Sequence, residues 1–181
     1  CFFGDGATNQ GVFHETLNLA AMWELPVIFI CENNRYGMGT AIERTTKIYD
    51  IAKKASGYAM PHERVDGMEV EEVYQSTKAA VERARKDNTP TLIEAVTYRF
   101  KGHSMSDPAH YRTKEELEEQ KNRDPLRRVR ETLITTQQVT EEDFKKMDKE
   151  VREVLDEAVR FAMESEFPSY EDIFTDVYAT T

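Results

Sequence analysis

Cys1-Phe2-Phe3-Gly4-Asp5-Gly6, the apolar run Pro26-Val27-Ile28-Phe29-Ile30-Cys31, and the Glu32-Asn33-Asn34-Arg35-Tyr36 segment after it decide the fold. The first run reads as the end of a buried strand. Pro26 suits the first position of a second strand, and the β-branched and aromatic residues that follow continue it. Between the two, Val12, Phe13, Leu17, Leu19, Ala20 and Trp23 recur near a helical period, which predicts a helix over residues 9–23. Strand, helix, strand in this length is a βαβ unit, whose crossover is almost always right-handed. That topology sets Asp5 and Asn34 at neighbouring carboxyl ends of parallel strands, the edge where open α/β sheets bind ligands.

Asp5 offers a hard carboxylate oxygen and Asn34 an amide oxygen. Mg²⁺ takes roughly six oxygen ligands and usually draws only one or two from protein, with phosphates and water supplying the rest. The pair therefore reads as half of a Mg²⁺–diphosphate clasp. Gly4 and Gly6 are expected to allow a tight turn and to leave room for a phosphate against the backbone. A helix starting just after Gly6 would add free N–H groups and a positive dipole end. Two other readings compete. A Gly-Asp-Gly turn without any ligand is common. A dinucleotide site keeps the first two glycines of its fingerprint in Gly4-Asp5-Gly6-Ala7-Thr8-Asn9, with Glu32 where a ribose-binding acid would stand, but Asn9 replaces the third glycine. No G-x-x-x-x-G-K-[ST] run occurs, which argues against a P-loop nucleotidase.

Further along, Gly37-Met38-Gly39-Thr40 reads as a loop. Residues 48–56 look like a short helix capped by Gly57. A short strand over 62–65 turns at Asp66-Gly67, an amphipathic helix covers 70–86, and the next strand covers 90–98. This second strand–helix–strand unit predicts an α/β fold with a doubly wound parallel sheet. After a polar loop over 99–112 the chain turns helical. Thr113-Lys114-Glu115-Glu116 has a capping pattern, Asp124-Pro125 opens another helix, and a long helix runs from Thr140 to Glu166 until Pro168 stops it. Its stripe of Phe144, Met147, Val151, Val154, Leu155, Val159 and Ala162 reads as core packing or a subunit interface. The expected organisation is an α/β part over 1–112 and a helical extension over 113–181.

The residues Gly4 to Thr40, GDGATNQGVFHETLNLAAMWELPVIFICENNRYGMGT, and Tyr98 to Thr113, YRFKGHSMSDPAHYRT, resemble the thiamine diphosphate-dependent 2-oxo acid dehydrogenases, most closely the alpha subunits of the pyruvate dehydrogenase decarboxylase component. The likeness is strong over about residues 1–120. The Asn33-Asn34 pair, which has no role in a dinucleotide site, fits it. The resemblance implies thiamine diphosphate and Mg²⁺ as cofactors. It makes Asp5, Asn34 and the backbone carbonyl of Tyr36 the metal ligands, with Gly6 and Ala7 offering N–H groups to the diphosphate. It places His103 at the cofactor, for proton transfer or transition-state stabilisation. His14, His62 and His110 have no motif support. Ser104 matches a serine that kinases modify in mitochondrial members, where a phosphate would add negative charge beside an anionic cofactor. Yet His110 stands where the second regulatory serine of that pattern would be, and the loop is one residue shorter. Ser104 as a plain loop residue is the competing reading.

The activity implied is oxidative decarboxylation of pyruvate with acetyl transfer to a lipoyl group of a partner acyltransferase. A beta subunit is expected to complete an α2β2 assembly and to supply the carboxylate that activates the aminopyrimidine. Branched-chain 2-oxo acid and acetoin enzymes are alternatives, and a non-catalytic binding or assembly module is an alternative of another class. The start in mid-strand reads as a cut, with the amino-terminal half of such a subunit missing and the piece inactive alone.

Net charge is −10, and residues 113–181 carry 19 acidic against 11 basic side chains, while 1–112 carry 15 against 13. Such acidity argues against nucleic-acid binding. Cys1 and Cys31 lack metal-ligand spacing and make no disulfide framework. No apolar run approaches the roughly 20 residues needed to cross a bilayer. The expected location is the bacterial cytoplasm or, in a eukaryote, the mitochondrial matrix.

Overall fold

A computed structural model describes residues 1–178 of the chain. Four strands form a parallel sheet: β1 (Phe2–Gly4), β2 (Ile28–Asn33), β5 (His62–Asp66) and β6 (Thr91–Val96). They lie in the order β1-β2-β6-β5, so β2 and β6 are paired on both sides. Their sequences show why. Val, Ile, Leu and Phe dominate both, as burial on two faces requires.

Helices cover both faces, as a doubly wound sheet requires. On one face α1 (Gly11–Met22) and the 3₁₀ segment Ile51–Tyr58 set Phe13, Leu17, Ala20 and Ala55 against Phe29 and Leu92. On the other, α2 (Val70–Asp87) sets Ala80 and Val73 against Val65, Ile93 and Ala95. Leu17, Ile51 and Leu92 are fully buried. Each such side chain contributes about 1.5–3 kcal/mol relative to exposure.

Several local expectations need correction. The helix expected to start just after Gly6 does not. Asp5–Asn9 winds as a 3₁₀ turn and α1 begins at Gly11. The Thr8 hydroxyl donates to the Asp5 carbonyl at 2.8 Å, a local bond that competes with α-helical pairing. No glycine has positive φ, so Gly4 and Gly6 are not needed for a left-handed turn. Gly6 serves close approach instead: a Cβ there would lie 3.3 Å from the Cα of Gly37. Gly57 is not the helix cap either. Ala59 takes the left-handed conformation and its N–H caps Ala55 and Ser56 carbonyls. The loop over 37–40 is a small hairpin, β3 (Tyr36–Gly37) against β4 (Thr40–Ala41).

Three helices follow: α3 (Lys114–Lys121), α4 (Pro125–Thr135) and α5 (Glu141–Glu164). Thr113 accepts the Glu116 N–H at 3.1 Å, and Asp124 accepts the Leu126 N–H at 2.9 Å, so both helix starts follow the sequence signals. The chain forms two compact units, Cys1–Glu131 and Thr132–Thr181. In the second, Thr140 and Asp143 close a reciprocal capping box on α5. The apolar stripe of α5 is not core: none of its residues is buried within the chain, and Val154 is 68% exposed.

Candidate functional site

Asp5 follows β1 and Asn34 follows β2, and the register that pairs Gly4 with Glu32 puts them at neighbouring strand ends. Asp5 is only 3% exposed. Burial pushes its pKa up, while the backbone N–H groups of Asp5 and Asn34 and the Arg99 charge pull it back. A buried carboxylate held in this way gains from a cation that replaces its lost hydration.

The turn itself is fixed by two side-chain amides. Asn33 Oδ1 accepts the Arg35 N–H at 3.0 Å, and Asn34 Oδ1 accepts the Tyr36 N–H at 3.1 Å. Arg35 is thereby held in the left-handed region, at φ 68°. Tyr36 then opens the β3 hairpin, which Gly37 brings against Gly6. Asp5, Asn34 and Tyr36 thus come together, with Gly6 and Ala7 exposed beside them. Beneath the 3₁₀ turn, Lys54 Nζ donates to Thr8 Oγ1 at 3.2 Å and lies 5.9 Å from the Phe13 ring centroid.

The loop over 99–112 is pinned to this hairpin by Arg99. Its guanidinium donates to the Met38 carbonyl at 2.8 Å, to the Tyr111 hydroxyl at 3.1 Å, and to His103 Nδ1 at 3.3 Å. A guanidinium only donates, so Nδ1 is the acceptor and Nε2 carries the imidazole proton. Asp107 closes the loop from within. Its carboxylate accepts the His103 and Ala109 N–H groups at 2.7 and 2.8 Å and the Tyr111 hydroxyl at 2.7 Å. These donors lower its pKa to about 2, led by the His103 N–H. Its folded pKa lies below the unfolded value near 3.9, so this anchor is fully present above that value and lost as pH falls towards 2.

Asp107→Ala is expected to loosen the loop. Trypsin should then cut after Lys101 and Arg112 at least about tenfold faster in the full-length protein, since three charge-assisted bonds are lost. An unchanged cleavage rate removes Asp107 as the anchor.

Among the described residues no three His, Cys, Asp or Glu side chains gather as a metal cluster. One buried carboxylate, one amide and one nearby carbonyl instead form a sparse oxygen set. That set fits Mg²⁺ whose remaining ligands come from phosphate and water. Sequence reading missed Arg99, Asp107, Tyr111, Lys54 and Glu94. Only Glu94 carried a signal, a lone carboxylate within the apolar strand Thr91–Val96.

The sequence matches the family described as "Dehydrogenase E1 component" over residues 1–171. It is 45% identical over 177 residues to the pyruvate dehydrogenase E1 component subunit alpha of Rickettsia felis, covering 98% of this chain and 54% of that protein. It is 41% identical to the subunit of the same name from Rhizobium meliloti, covering 97% of this chain and 51% of the relative. It is 47% identical to the mitochondrial subunit alpha-2 of Arabidopsis thaliana, covering 97% and 44%. The chain therefore spans about half the length of the curated relatives it matches. No helix among the described residues is long and apolar enough to cross a membrane. With residues 1–171 matched and close relatives along nearly its whole length, the chain belongs to the dehydrogenase E1 component family.

Proposed function

We propose that the full-length protein containing this chain decarboxylates pyruvate with thiamine diphosphate and Mg²⁺, and that this chain holds the Mg²⁺–diphosphate end. The buried Asp5, at the strand end next to the Asn34 turn, carries the reading. In it, Asp5, Asn34 Oδ1 and the Tyr36 carbonyl hold the metal, and the N–H groups of Gly6 and Ala7 face the diphosphate. Bound thiamine diphosphate would supply the carbon nucleophile and electron sink for the reaction. His103 would donate from Nε2 to the anionic reacting group, its other nitrogen being held by Arg99.

Acetyl transfer to a lipoyl group, a beta subunit that completes the site in an α2β2 assembly, and a bacterial cytoplasmic or mitochondrial matrix location belong to the same reading. The names of the matched relatives, which are bacterial and mitochondrial pyruvate dehydrogenase E1 alpha subunits, support it. The alpha–beta pair fed pyruvate, branched-chain 2-oxo acids and acetoin tests the reading. Pyruvate is expected to be turned over fastest, with CO₂ release dependent on Mg²⁺ and thiamine diphosphate. Preference for another substrate moves the protein to a sister enzyme, and no turnover of any with no cofactor binding makes it a non-catalytic module.

Regulation at Ser104 is part of the proposal. Ser104 is exposed, and its hydroxyl lies 3.1 Å from that of Ser106, in the loop that Asp107 anchors. A phosphate there adds charge of about −1.5 to −2 near that carboxylate. Ser104→Glu belongs in the same trypsin assay as Asp107→Ala, and resistance equal to the parent's removes Ser104 from loop control.

A further inference from the structure

Glu94 stands in the middle of β6, a strand paired on both sides, with 0% exposure. Burying a carboxylate is costly unless it is paired and hydrogen-bonded. Its partners come from three different segments. Glu94 Oε1 accepts the Asn33 side-chain N–H at 2.7 Å and lies 3.4 Å from Arg64 Nε, on β5. Glu94 Oε2 accepts the Ala52 N–H at 2.9 Å, at the start of the 3₁₀ segment. An apolar residue would fill this position in a purely structural strand.

The Asn33 bond gives the arrangement a direction. Asn33 donates to Glu94 through its side-chain nitrogen, which turns its oxygen towards the Arg35 N–H. That second bond holds Arg35 left-handed, a conformation that costs a non-glycine residue energy and needs support. The shape of the Arg35 position in turn decides where Asn34 and Tyr36 point. One buried carboxylate is thus linked by a single amide to the turn that carries two of the proposed metal ligands.

We propose that Glu94 is a positioning residue for the metal site, acting through Asn33 to hold the Asn34–Tyr36 turn in its ligating shape. The proposal rests on the reading of Asp5, Asn34 and Tyr36 as the metal clasp. Glu94 touches no ligand itself; its contribution is to the geometry of those that do. Outer partners of metal ligands are worth about 10- to 100-fold in metal affinity.

The test is the Mn²⁺ affinity of the assembled full-length protein with thiamine diphosphate present, read from the electron paramagnetic resonance of free Mn²⁺. Glu94→Gln is expected to weaken Mn²⁺ binding by about 10- to 100-fold, because its amide has one acceptor for the two donors Asn33 and Ala52 and its nitrogen must face one of them. The double variant Glu94→Gln with Asn33→Asp exchanges donor and acceptor. The new Gln nitrogen donates to the Asp, whose second oxygen still accepts from Arg35, and most of the affinity should return. A role confined to packing would lower thermal stability and leave Mn²⁺ affinity of the folded protein in place; that result overturns the proposal. Loss in Glu94→Gln without recovery in the exchange variant overturns the Asn33 relay. If Glu94→Gln does not assemble, Asn33→Ala cuts the same link, and parental Mn²⁺ affinity there rejects the role. Asp5→Ala serves as the separate control: unchanged affinity in that variant rejects the clasp itself, whatever Glu94 does.

Discussion

Asp5→Ala in the assembled full-length protein is expected to weaken Mg²⁺-dependent thiamine diphosphate binding by more than about 100-fold, above the range for residues that act through a ligand. Calorimetric titration with and without Mg²⁺ reads it. The same variant should not unfold the metal-free protein. Asp5 is buried, and burial is the largest influence on its pKa, which is raised. A carboxyl with a raised folded pKa supports folding only below its unfolded value, and that support is lost as pH rises through the folded pKa. At neutral pH, above its unfolded value, burial of this group therefore opposes folding when no cation is bound. Thermal melting of the metal-free variant should be no lower than the parent's. Lost binding together with a lower melting temperature would mean that Asp5 is a structural residue.

His103→Ala is the second large effect. Proton transfer or hydrogen bonding by a placed imidazole is worth about 10²- to 10⁴-fold, so turnover should fall by that range. Metal affinity should stay near the parental value, because the reading gives metal contact to Asp5, Asn34 and Tyr36. His103→Gln keeps a side-chain donor and should fall less. Arg99 matters here because it donates to Nδ1 and so leaves the proton on Nε2. Equal losses in His103→Ala and His103→Gln would argue against donation from Nε2 and leave only the shape of the ring.

The architecture was legible because its signals are local. The apolar runs 1–3 and 26–31 and the helical spacing between them are read within about thirty residues, and β1, α1 and β2 formed in that order, with α1 starting at Gly11 and β2 at Ile28 instead of Pro26. Capping at Thr113 and Asp124 was legible for the same reason. Asp5 and Asn34 could be paired because right-handed crossovers leave little freedom. What escaped depends on distant partners or on competition at one residue. Thr8 diverts the start of α1 through a bond to Asp5, and Ala59 takes a conformation that glycine usually supplies. Arg99 reaches Met38 across 61 positions, and no periodicity announces such a contact. The stripe on α5 shows that an amphipathic pattern states which face is apolar, not what covers it.

The Glu94 anchor also sets an order of events during synthesis. Asn33 waits for a partner 61 positions later, and Ala52 for one 42 positions later. At about 5–20 residues per second, the ribosome takes roughly 3–12 s to add the intervening chain. Through that interval Asp5 and the Asn34 turn exist without the strand that fixes them. The proposed metal turn therefore cannot lock until the 61 positions after Asn33 have been made, however early its own residues could find their local bonds.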